Sequence, residues 1–149
     1  MITCHPAFNN FDGQILLHEL KNLSSVLSHR SVFPFHYGII AMQEIRYKIL
    51  VVDDDQITRD FLLGLLAMKG HHCENAGNGV EALEKMRFEA FDAVITDIVM
   101  PEMGGIILTQ QLSRLHPDLP ILIMTAFHDR YGKEEAIRAG ARNFLLKPF

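Results

Sequence analysis

Four short apolar runs in this chain each end in a residue able to do chemistry. Lys48-Ile49-Leu50-Val51-Val52 delivers Asp53 and Asp54. Ala93-Val94-Ile95-Thr96 delivers Asp97. Ile121-Leu122-Ile123-Met124 delivers Thr125, and Asn143-Phe144-Leu145-Leu146 delivers Lys147. Three carboxylates brought together repel one another, and unpaired they force at least one pKa upward. A hard divalent cation removes the conflict, and Mg²⁺ suits a shallow, oxygen-only, part-hydrated site. Lys147 would add a fixed positive charge opposite the metal. An oxyanion between metal, Lys147 and the Thr125 hydroxyl would be stabilised on three sides. The guest best served is a phosphoryl group, whose transfer needs mainly positioning and charge neutralisation. Asp97 would then be the nucleophile and would form an acyl phosphate.

The elements that must position these residues follow from the pattern. Short buried strands are expected at about 47–52, 71–76, the run to Asp97, 120–125 and 142–146. The second is polar (His71-His72-Cys73-Glu74), as an edge strand would be. Helices are expected at about 57–69, 79–88, from Gly104-Gly105 to about His116, and at 132–139. Gly70 and Gly140 stop two of them. The first helix should bury a stripe of Ile57, Phe61, Leu65 and Met68, and the second Val80, Leu83 and Met86. Alternation of this kind predicts an α/β fold, a doubly wound five-stranded parallel sheet with right-handed crossovers. The commonest order at this length is 2-1-3-4-5, as in flavodoxin-like folds. It sets the ends of strands one, three and four side by side, where open α/β sheets place their ligands.

The totals narrow the classes. The 149 residues allow one ordinary domain and a modest extension, and 48% of them are hydrophobic. The formal net charge is −4, with no basic run, so direct nucleic-acid binding is not expected. No run approaches the ~18 apolar residues of a membrane span, and the amino terminus lacks the form of a signal peptide. Cys4 and Cys73 make neither a disulfide framework nor a zinc spacing, which fits reduced thiols in a cytoplasmic protein.

Residues 47–149 resemble the receiver domain of two-component response regulators. The matching motifs are Val51-Val52-Asp53-Asp54-Asp55, Asp97 with Met100-Pro101, Thr125-Ala126, and Lys147-Pro148-Phe149, in the family's order. The resemblance implies a signalling phosphoacceptor and not an enzyme. Asp97 would take a phosphoryl group from a sensor histidine kinase or phosphotransfer protein. It implies Mg²⁺ on Asp54, Asp97 and the Val99 carbonyl, with Asp53 acting mainly through metal-bound water. Lys147 would pair with the phosphoryl group. Thr125 would move to hydrogen-bond it, and Phe144 would turn inward as the aromatic switch. A phosphorylation-dependent dimer is compatible with the resemblance. Gly104 departs from the acid common there in the family, with Gly105 keeping the turn. The family also continues past Lys-Pro-Phe with a fifth helix, on the sheet face that the first helix shares. The reading here is of a receiver truncated after strand five, either a fragment or a chain in which something else covers that face.

Residues 1–46 form a distinct extension. Asp12 could cap a helix over about 14–30, with Leu16, Leu20, Leu23 and Leu27 on one face; Phe33-Pro34-Phe35 should stop it. Such a helix is a candidate cover for the face just described. His18-Glu19-Leu20-Lys21-Asn22-Leu23 resembles the phosphoacceptor box of histidine kinases. That box usually has Pro where Leu23 stands, and no ATP-binding domain follows, so an amphipathic helix is the expectation. His5, His18, His29 and His36 lack a metal-site spacing. Met42 is an alternative start.

Three rival readings are open to test. Gly77-Asn78-Gly79-Val80-Glu81-Ala82 fits G-x-G-x-x-A, but it follows the polar edge strand, so a turn and helix start is expected. Asp53-Asp54-Asp55 contains the D-x-D of haloacid-dehalogenase-type phosphatases, which would make Asp53 the nucleophile. A receiver-like module that binds partners without phosphorylation is the third. Val99 and Phe127 are apolar beside the expected phosphoryl site and would shield an acyl phosphate from water. Slow self-dephosphorylation is therefore expected. A phosphoryl lifetime of only seconds in purified protein with Mg²⁺ would contradict it.

Overall fold

The structure, a computed structural model, describes residues 46–126 and 130–147. The 14–30 helix, His18, Phe127 and the Pro148-Phe149 end of the last motif lie outside the described residues. Five strands alternate with four helices among them. They are β1 (Lys48–Val52), α1 (Gln56–Met68), β2 (His72–Ala76), α2 (Gly79–Phe88), β3 (Ala93–Asp97), α3 (Gly105–Leu115), β4 (Ile121–Thr125), α4 (Arg130–Ala139) and β5 (Asn143–Leu146). The sheet is parallel throughout, in the order β2-β1-β3-β4-β5, as the alternation predicts. The polar β2 lies at the edge, and of the three interior strands β3 and β4 are buried along their whole length.

Side chains alternate across the strands, and this divides the core in two. Ile49, Val51, Ile95, Leu122, Met124 and Leu145 join Leu62 and Leu66 of α1 on one side. On the other, Leu50, Val52, Val94 and Ile121 pack with Ala82 of α2 and with Leu108 and Leu112 of α3. A smaller cluster of Ile123, Ala136 and Phe144 extends that side under α4.

Local chemistry explains where the helices begin. The Asp55 carboxylate accepts from the Ile57 and Thr58 amides at 3.3 and 3.1 Å and so caps α1. Asn78 caps α2 through the Glu81 amide at 2.9 Å. The Glu81 carboxylate reaches back to the Gly77 amide at 2.7 Å. The Gly77–Ala82 motif is thus a reciprocal cap at a sheet edge, and its residues are spent on the helix start. Helix α4 begins at Arg130, two residues earlier than the pattern indicates.

Two helix faces differ from expectation. In α1 the fully buried residues are Leu62 and Leu66. Phe61 and Leu65 are half-buried beside them, while Ile57 and Met68 are exposed. The segment is apolar over most of its circumference, so two overlapping stripes satisfy the period. At about 100° per residue, Ile57 and Met68 stand roughly 120–140° from Leu62. In α2 the buried positions are Gly79 and Ala82, and Val80 is exposed; Leu83 and Met86 pack as expected. Small residues are needed there because a Cβ on Gly79 would meet Met103 Cγ at 2.7 Å.

Cys73 is half-buried on β2, and burial pushes its thiol up to about 11. Among the described residues, no helix is long and apolar enough to cross a membrane. The corrected α1 face gives a direct test by urea unfolding. Leu66→Ala should cost about 2–5 kcal/mol. Ile57→Ala should change stability by no more than about 0.5 kcal/mol.

Candidate functional site

Parallel pairing carries the ends of β1, β3 and β4 to the same rim. Asp53 follows β1 directly, and its amide donates to the Ala76 carbonyl at 3.1 Å. Its side chain is 1% exposed. Asp97 ends β3 and is 8% exposed. Lys147 follows β5, and its amide donates to the Thr125 carbonyl at 2.7 Å. That bond ties the tip of β5 to the tip of β4.

The Lys147 ammonium bridges the two buried acids. Nζ lies 2.6 Å from Asp53 Oδ2 and 2.7 Å from Asp97 Oδ1. The remaining oxygens are also held. Asp53 Oδ1 accepts from the Asp55 amide at 2.9 Å, and Asp97 Oδ2 accepts from the Val99 amide at 2.8 Å. Burial pushes the Asp97 carboxyl above its ordinary value. Lys147 and the Val99 amide pull it down, and the Asp53 charge adds to the rise. For Lys147, burial works to lower the pKa, but the hydrogen bonds to Asp53 and Asp97 outweigh it and hold the group above its ordinary value.

The backbone around Asp97 is close-packed. A Cβ on Gly105 would lie 1.9 Å from the Asp97 carbonyl oxygen, and one on Gly104 would lie 2.8 Å from that of Ile98. Both glycines are therefore required by close approach. Gly104 is the N-cap of α3 without a side-chain hydrogen bond, so the acid missing there is not replaced by another capping group.

Of the expected site residues, Asp53, Asp97 and Lys147 converge. Thr125 is 1% exposed and is joined to Lys147 through the backbone. Val99 meets Asp97 through its amide, and its side chain is 60% exposed. Asp54 is exposed and is not part of the lysine bridge. Phe144 is half-buried on the α4 side of the sheet, in the cluster that holds Ile98 and Ile106, and is not among the groups around the ammonium. One contributor was missed. Arg59 Nη1 donates to the Asp53 carbonyl and so fixes the loop from behind. Its position one turn past the Asp55 cap was the available signal.

Among the described residues, no three acidic, histidine or cysteine side chains converge closely enough to enclose an ion by themselves. A part-hydrated Mg²⁺ needs no such cage and is commonly bound by one or two carboxylates. The charges favour it. Asp53, Asp54 and Asp97 follow or end β1 and β3 and outnumber the single Lys147 ammonium, which meets two of them. The residues present therefore fit such an ion.

Comparison with known proteins bears on the same segment. The profile of the response regulator receiver domain family matches residues 49–149. The chain belongs to that family. This receiver is 43% identical over 100 residues to the transcriptional regulatory protein ZraR of Klebsiella oxytoca, covering 67% of this chain and 23% of that one. It is 40% identical over 102 residues to the response regulator MprA of Mycobacterium ulcerans, covering 68% and 44%. The chain thus spans less than half the length of either relative. Among solved structures, the chemotaxis protein CheY4 of Vibrio cholerae matches with 33% identity and a TM-score of 0.67, over 70% of this chain and 89% of that one. A CheY-like receiver domain protein of Methanospirillum hungatei matches with 28% identity and a TM-score of 0.67, over 70% and 84%. The likeness makes this a signalling domain of two-component systems, whose receivers work with histidine kinases or phosphotransfer proteins.

Gly105 provides the structural test of the site. Gly105→Ala should lower stability by at least about 1–3 kcal/mol in chemical unfolding, because backbone and not a flexible side chain must give way. Gly64→Ala, with nothing within 4 Å of the added carbon, should be neutral or stabilising by up to about 1 kcal/mol, since it removes a glycine from a helix interior.

Proposed function

We propose that this receiver accepts a phosphoryl group on Asp97 and reports it through Thr125, Lys147 and Phe144. The observation that carries the reading is the Lys147 ammonium held between Asp53 and Asp97 at 2.6 and 2.7 Å. A cation fixed beside one carboxylate is suited to meet the oxygens of an incoming phosphoryl group. A carboxylate oxygen of Asp97 forms the new P–O bond as the P–N bond of a phosphohistidine donor breaks. The bonding pair returns to the imidazole nitrogen. Asp53, Asp54, Asp97 and the Val99 carbonyl are the groups that would hold Mg²⁺, which when bound neutralises charge on the transferring group. The Val99 amide, 2.8 Å from Asp97 Oδ2, orients the acceptor.

Arrival of the phosphoryl group changes what Lys147 faces. The ammonium gains new anionic oxygens in place of a bare carboxylate. Because the Lys147 amide is bonded to the Thr125 carbonyl, a shift of one tip draws on the other. Thr125 would turn its hydroxyl to the phosphoryl group, and Phe144, two residues before Leu146 on the same strand, would follow. The kinase or phosphotransfer donor, the cytoplasmic setting and a phosphorylation-dependent dimer belong to this proposal as well.

The phosphatase reading is disfavoured by burial. Asp53 is 1% exposed against 8% for Asp97, so it is the less accessible of the two acids. Labelling with a small phosphodonor such as acetyl phosphate separates the readings. Asp97→Asn should abolish Mg²⁺-dependent labelling, and EDTA should do the same to the parent chain. Retained labelling in Asp97→Asn, lost in Asp53→Asn, would support the phosphatase. No labelling of the parent at all would support the phosphorylation-independent module.

A further inference from the structure

Two helices end together at the rim opposite the functional site. α2 stops at Phe88 and α3 at Leu115, each a few residues before a strand begins. Between the turns that follow them lies a cavity of about 580 Å³, within the roughly 300–1,000 Å³ usual for small-molecule sites. The buried Phe91 belongs to its lining, as do Phe88 and Leu115, which are 80% and 65% exposed. The surroundings select for positive charge. The last carbonyls of a helix carry partial negative charge, about half an electron per helix end. Among the described residues, the carbonyls of Met86, Arg87 and Phe88 in α2, and of Arg114 and Leu115 in α3, meet no hydrogen-bond donor. Within the lining, Arg87 stands against Glu89 and Asp118. Lys48, which pairs with Glu89, brings the side-chain charges to balance. The helix ends then leave the cavity negative.

We propose that this cavity binds a small organic cation, with a flat apolar body between Phe88 and Leu115 and an amidinium or ammonium group at the carbonyl ends of α2 and α3. The same rim already holds a cation against a ring. Lys48 Nζ sits 5.1 Å from the centroid of Phe91 while it meets the Glu89 carboxylate. An aromatic face attracts a cation in this way, and the attraction grows as water is excluded. Phe88 offers a second ring beside the carbonyl ends, with no cation upon it among the described residues. Both parts of the ligand are needed. A bare metal ion would leave the two apolar walls in water. An uncharged apolar molecule would bring no donor to the carbonyls, and an anion would meet helix ends of its own sign.

The proposal is independent of the phosphoryl chemistry and is tested on the full chain, with benzamidinium as the probe. In proton–nitrogen correlation spectra, benzamidinium should cause saturable shifts at the amides of Phe88, Glu89, Leu115 and His116. Benzoate, of similar shape and opposite charge, should not. Phe88→Ala should weaken benzamidinium binding about three-fold or more. That side chain is exposed, so the fold should hold and the spectrum elsewhere should stay the same. Met68→Ala, at the exposed end of α1, should leave the affinity unchanged. Absence of saturable shifts would overturn the proposal. So would shifts confined to the rim of Asp53 and Asp97, equal binding of benzoate, or an unchanged affinity in Phe88→Ala.

Discussion

Two carboxylates are held out of water at the rim of this sheet, and one ammonium makes that tolerable. Leaving a buried charge without a partner costs several kcal/mol. Asp53 and Asp97 are nearly inaccessible, and Lys147 meets both. The geometry explains the residue type. Lys147 rises from the tip of β5, two strands away from Asp97 and three from Asp53. At about 4.8 Å per strand, only a long, flexible side chain crosses that gap with its charge at the end. The strand order, the placement of acids after β1 and β3, and the lysine after β5 are parts of one arrangement.

The bridge also sets the chemical character of the site. Asp97 is the acid with its charged form disfavoured by burial, yet both its oxygens are met by donors. It is therefore held in place by two donors. Asp53 is more deeply held and serves as an anchor, with the loop behind it fixed by Arg59 and by the Asp55 amide. The two neighbouring acids thus sit in different surroundings, one behind the loop and one at the end of β3. The backbone bond from Lys147 to Thr125 then links the charged bridge to the adjoining strand tip.

Much of this was legible before any coordinates. Apolar runs that end in Asp53, Asp97 and Thr125 announce strands buried on both faces, and the alternation with helices implies the parallel order. The helix faces were less legible. In α1 the run Phe61-Leu62-Leu63 with Leu65-Leu66 supports more than one stripe, and only packing against the sheet selects Leu62 and Leu66. The need for glycine at Gly105 depends on the approach of the Asp97 carbonyl, a contact between chain segments that spacing does not encode. Asp54 shows a further boundary. Its place beside Asp53 is plain in the sequence, but its exposure follows from the direction in which the chain leaves β1.

The proposal makes Asp97 the one acceptor at this rim, and trapping the modified residue tests that most directly. After incubation with acetyl phosphate and Mg²⁺, borohydride reduces an aspartyl phosphate to homoserine, which peptide mass spectrometry locates. The account predicts homoserine at position 97 alone. Homoserine at position 53 or 54, with none at 97, would contradict it.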